Sequence, residues 1–64
     1  MEPYQERVLV ERTELFIKLE KLEAFLDGPP AYYITAGERV RLMRQAFVMR
    51  WYLELLDERI NVWC

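Results

Sequence analysis

Asp27-Gly28-Pro29-Pro30-Ala31-Tyr32-Tyr33-Ile34-Thr35 is the stretch that decides the fold. Glycine accepts the left-handed conformation that closes a helix, and the prolines behind it can neither donate a backbone hydrogen bond nor leave the preceding residue helical. A helix on the N-terminal side therefore stops near Leu26. Thr35, with Glu38 three positions on, has the form of a capping box: the threonine oxygen accepts from the Glu38 amide and the glutamate reaches back to the Thr35 amide. A second helix follows from Ala36 to about Val62. Working back from the break, Pro3 suits a first helical turn, where its missing donor has no partner anyway, and Glu2 and Glu6 complement the positive end of the helix dipole. The expectation is one domain over residues 1–64, with a helix over about 3–26, a connection over 27–35 and a helix over about 36–62.

Apolar spacing says how the two helices meet. Val8, Leu15, Leu19, Leu22 and Leu26 form a coiled-coil-like seam in which one register position, Arg12, is charged. Leu42, Ala46, Met49, Leu53, Leu56, Ile60 and Trp63 alternate steps of 4 and 3 without a miss. Facing seams predict an all-α, antiparallel two-helix hairpin. A second stripe on the later helix, Val40, Met43, Phe47, Trp51 and Leu55, has no counterpart to cover it, while Leu9, Phe16 and Phe25 widen the face of the first helix. Two helices cover one stripe each, and 64 residues supply little core. Copies of the hairpin are therefore expected to assemble into a homo-oligomeric helical bundle. The alternative is that Phe47 and Trp51 fold under the tyrosine-rich loop of their own chain.

Composition narrows the chemistry. With 53% hydrophobic and 31% charged residues and only two glycines, the chain is built to fold rather than to stay disordered. Nine basic against eleven acidic residues give a net charge of -2, which argues against binding long nucleic acid. Histidine and serine are absent and Cys64 is a lone thiol, so no disulfide framework, zinc site or serine-histidine nucleophile can be assembled. Gly28 and Gly37 stand alone, which excludes a glycine-rich phosphate loop. The paired carboxylates Glu11/Glu14, Glu20/Glu23 and Asp57/Glu58 sit among basic residues on outer faces, and Glu11, Glu14, Lys18 and Lys21 read as a solvated face with i,i+3 and i,i+4 pairing. No run approaches the roughly 20 apolar residues of a membrane span, and the start of the chain is too acidic for a secretory signal. The expectation is a soluble, non-enzymatic protein of a reducing cytoplasm, without metal or cofactor.

Charge is unevenly spread. Residues 28–50 hold one acidic and four basic groups, a local +3, all four being arginines: Arg39, Arg41, Arg44 and Arg50. Glu20, Glu23 and Asp27 on the neighbouring helix are available to pair with them. Arg12 is more informative, because a charge in a seam must snorkel, pair with Glu54 or Asp57 on the returning helix, or face a ligand. Tyr4 and Arg7 lie within two turns of it, and Tyr52 and Arg59 share a flank of the second helix near the same end. Tyrosine for base stacking and arginine for phosphate are what a small anionic nucleotide needs at a boundary between subunits.

Tyr4-Gln5-Glu6-Arg7-Val8, Glu14-Leu15, Lys18-Leu19-Glu20-Lys21-Leu22-Glu23-Ala24-Phe25, Arg44-Gln45, Met49, Tyr52, Leu56 and Glu58-Arg59-Ile60 together resemble the small helical-hairpin proteins of tailed phages, including the crAss-like phages. The Gly28-Pro29-Pro30-Ala31-Tyr32-Tyr33 connection departs from the shorter polar loop of that group. The resemblance implies a phage protein acting in the cytoplasm of the infected bacterium. Compact phage hairpins of similar architecture include sponges that assemble and sequester the cyclic nucleotides of bacterial immune signalling. By that analogy the chain is a counter-defence protein that holds a cyclic di- or trinucleotide without cleaving it, with Tyr4 and Tyr52 on bases and Arg7, Arg12 and Arg59 on phosphates. A second possibility is an interaction protein whose Phe47, Arg50 and Trp51 dock on a host defence protein such as a CRISPR component. A third is a self-assembling bundle with no ligand.

Overall fold

The computed structural model describes residues 1–63; the lone thiol of Cys64 lies outside the described residues. Helix α1 runs Pro3–Asp27, a 3-10 helix covers Pro29–Tyr33, and helix α2 runs Ala36–Asn61. The two long helices pack against each other as an antiparallel hairpin with extents of 45 × 14 × 14 Å. Each seam supplies part of the core: Val8 and Leu19 from α1, Ala46 and Leu56 from α2, with Leu56 fully enclosed at 0% exposure. Ala31 of the 3-10 helix plugs the closed end.

Helix ends follow the sequence with three corrections. The connection is not irregular, since Pro29 and Pro30 start a 3-10 turn in which the Ala31 amide donates to the Gly28 carbonyl at 3.2 Å. Gly28 is not left-handed; its φ of -103° and ψ of 172° are extended, and its amide donates to the Phe25 carbonyl. What favours glycine there is proximity, because a Cβ would meet the Ala24 carbonyl oxygen at 3.2 Å and Pro30 Cδ at 3.4 Å. Thr35 caps α2 as expected, its hydroxyl oxygen accepting from the Glu38 amide at 3.1 Å. The reciprocal half does not form, because the Glu38 carboxylate takes Arg41 at 3.1 Å instead. A backward-reaching side chain occurs at the other helix start, where Gln5 Oε1 accepts from the Glu2 amide at 2.8 Å.

The second apolar stripe does not tuck away. Phe47 is 66% and Trp51 60% exposed, and Val40, Met43 and Leu55 are exposed with them. Tyr32 and Tyr33 point into solvent rather than over that stripe, so the loop does not shelter it.

Candidate functional site

Cross-helix polar contacts bracket the seam. Arg12 Nε donates to Asp57 Oδ1 at 2.8 Å, with Nη2 reaching Oδ2 at 3.5 Å, and the guanidinium lies 5.2 Å from the centre of the Phe16 ring. The hydrogen bond to Asp57 raises the Arg12 pKa; desolvation opposes this and the charge of Asp57 adds to it. Arg50 pairs with Glu23 toward the loop, and the Tyr52 hydroxyl donates to Glu11. At 3.6 residues per turn, helical phase puts the Arg12–Asp57 and Arg50–Glu23 pairs on one flank of the seam and Tyr52–Glu11 on the other.

That phase decides which of the nucleotide-type residues come together. Tyr4, Arg7, Tyr52 and Arg59 share the flank that carries Glu11, all toward the end where α1 begins and α2 finishes. The Tyr4 ring is held edge-on to Trp63, with centroids 6.0 Å apart and planes at 84°, an arrangement favoured by the ring quadrupoles. Arg7 is exposed and lines a shallow groove with Pro3, Val10, Glu11 and Glu14. Arg59 is exposed in the last turn of α2, where a cation suits the negative end of the dipole. Among the described residues neither Arg7 nor Arg59 has an ion-pair partner. Arg12 turns to the opposite flank and is already engaged.

A cleft that the sequence did not single out lies at the loop end, between the last turns of α1 and the first half of α2. It holds about 320 Å³ and is lined by Leu26, Asp27, Arg39, Met43, Phe47 and Arg50, among others. Arg39 Nη2 donates to the Ala31 carbonyl at 2.8 Å, and the guanidinium stands 5.9 Å from the Tyr32 ring centre. Its Nε is buried without a partner. Beyond Phe47 and Arg50 the cleft continues into a second hollow with Trp51 and Glu54. The signal for this cleft was present as the arginine-rich segment, but its partners come from α1 and the 3-10 turn, which only folding brings near. Of the carboxylates available to the arginine cluster, Glu23 is used and Glu38 serves within α2.

Among the described residues no group of three histidine, cysteine or acidic side chains could hold a metal ion, and no helix is long and apolar enough to cross a membrane. What the hairpin offers is arginine and aromatic surface on a two-helix scaffold. Residues 2–62 match the Sequestin family model, and the chain belongs to that family. It is also 35% identical over 57 residues, 89% of each chain, to an uncharacterised 7.5 kDa protein in the denB-rIIB intergenic region of Enterobacteria phage T4. These similarities place it among small phage proteins. No solved structure matches it.

Proposed function

We propose that the protein is a phage counter-defence sponge that sequesters a cyclic oligonucleotide immune signal, without cleaving it, at a boundary between copies of the hairpin in the infected cell's cytoplasm. The observation that carries the reading is the gathering of two tyrosines and two arginines without ion-pair partners, Tyr4, Arg7, Tyr52 and Arg59, on one flank of the open end. Arginine forks match phosphate oxygens and tyrosine rings supply stacking surface for bases. A convex flank of one hairpin encloses little, so a ligand there needs a second copy to cover it. The family name, which speaks of sequestration, supports the same reading. Arg12, on the opposite flank and paired with Asp57, stays outside this site, and Tyr52 stacks freely only if it releases Glu11.

Native mass spectrometry with a panel of cyclic di- and trinucleotides tests this. The expected result is a retained ligand mass, recovered intact on heating, together with a raised melting temperature. Arg7→Ala with Arg59→Ala should abolish both while leaving the helical content unchanged. No mass or melting shift from any nucleotide well above micromolar concentration would discard the sponge. The second reading, docking of Phe47, Arg50 and Trp51 on a host defence protein, is favoured by the exposure of both aromatics and by the hollow between them.

A further inference from the structure

The outer face of α2 is self-complementary. Val40, Met43, Phe47, Trp51 and Leu55 lie nearly opposite the seam, and four of them recur at strict i+4 spacing. A row at that spacing is an i±4 ridge, and such ridges interlock with their own kind at a crossing angle of about -50°. One pair of opposite charges on this face shares that symmetry. Measured along α2 from position 49, Phe47 and Trp51 are equidistant, as are Met43 and Leu55, and as are Arg44 and Glu54. A twofold axis at that position therefore sets each aromatic against the other kind, and each Arg44 beside a Glu54. Among the described residues Arg44 and Glu54 have no ion-pair or hydrogen-bond partner within the chain.

Area points to the same occupant. An aromatic side chain presents ~150–250 Å², so at the exposures above the whole row leaves on the order of 500 Å² open to water. That is near the upper end of what a monomer shows, and two such rows face to face remove about 1,000 Å², where specific interfaces begin. We propose that this face binds a second copy of the chain through an antiparallel crossing of α2 on α2, with Phe47 on Trp51 and Arg44 on Glu54. The same seating lays Trp51 and Leu55 of the second copy over Met43 and Phe47 and so roofs the Arg39–Arg50 cleft. The inference rests on the assembly in the proposed function but not on its ligand, and it concerns a face remote from the Tyr4–Arg59 flank.

The test is sedimentation velocity of the full chain without any nucleotide, so that failure of the sponge reading and failure of this one are separate results. The wild-type chain should sediment as a dimer or larger even-numbered species. Phe47→Glu should give a helical monomer. Arg44→Glu and Glu54→Arg should each weaken association by about tenfold, while the combined reversal restores it, because a charge pair rather than a fold is being exchanged. In a Trp63→Phe background, quenching of Trp51 by acrylamide should fall on association. A wild-type monomer at every concentration up to about 100 μM overturns the proposal and leaves the face to a different protein. A combined reversal as weak as the single ones overturns the pairing.

Discussion

The two faces of α2 carry nearly the same number of large apolar side chains and meet opposite fates. On one, Ala46 and Leu56 are buried against α1; on the other, Phe47 and Trp51 stand in water. Nothing in their hydrophobicity separates them. The separation comes from geometry, since α1 is one helix wide and has Val8 and Leu19 to offer on one side only. A hairpin of this size therefore has a stabilising face and a face available for work, and the latter can be altered with little effect on the fold.

The strongest way to break that contrast is to cut equally on both sides. Leu56→Ala removes a fully enclosed side chain and should cost ~2–5 kcal/mol in chemical denaturation, enough to unfold a marginal domain. Phe47→Ala should change the stability of the isolated chain by about 0.5 kcal/mol or less. Comparable losses from both, at dilution where the chain is a monomer, would mean the outer face is covered within one chain after all. Thr35→Ala removes the cap shared by both faces and should cost about 1 kcal/mol, fraying the start of α2 beneath Val40 and Met43, visible as faster amide exchange there. Gly28→Ala should be milder, under about 1 kcal/mol, because the φ is ordinary and only the close approach to Ala24 and Pro30 resists. A larger loss would show that the turn has no freedom to shift.

Arg12→Leu is expected to have the smallest effect on stability and sharpens the comparison most. It completes the leucine seam while leaving Asp57, which is exposed enough to be hydrated, so the melting temperature should stay level or rise. A clear fall would mark the ion pair as a specific structural lock. Because the Arg12 pKa is raised, the arginine's side of the pair keeps its charge throughout and beyond the range where an ordinary arginine does, and gives it up in strongly alkaline solution. No change in stability around neutral pH is expected from it.

Much of this molecule was legible in the chain. The Gly28-Pro29-Pro30 break, the Pro3 start and the Thr35 cap act within a turn or two of backbone, so local chemistry suffices to place them. The paired seams were readable because a 3.6-residue period must face something apolar. The candidate site was legible only in residue type. Tyr4, Arg7, Tyr52 and Arg59 were identified as a set, but that they share a flank, and that Arg12 faces the other way toward Asp57, depends on how α1 and α2 are rotated against each other. The Arg39 cleft was missed because its wall comes from Leu26 and Asp27, and its anchor is the Ala31 carbonyl.

By itself the sequence determined two helices, where they turn, and which stripes must be covered, since those follow from backbone constraints and periodicity acting over a few residues. Tertiary structure alone decided how the two helices are rotated against each other, which carboxylate each arginine takes and where the cleft opens. Those outcomes depend on the relative phase and offset of two rods some 25 residues long. A rotation of one rod by a single position, about 100°, would reassign every cross-helix partner while leaving the helical period of the sequence untouched.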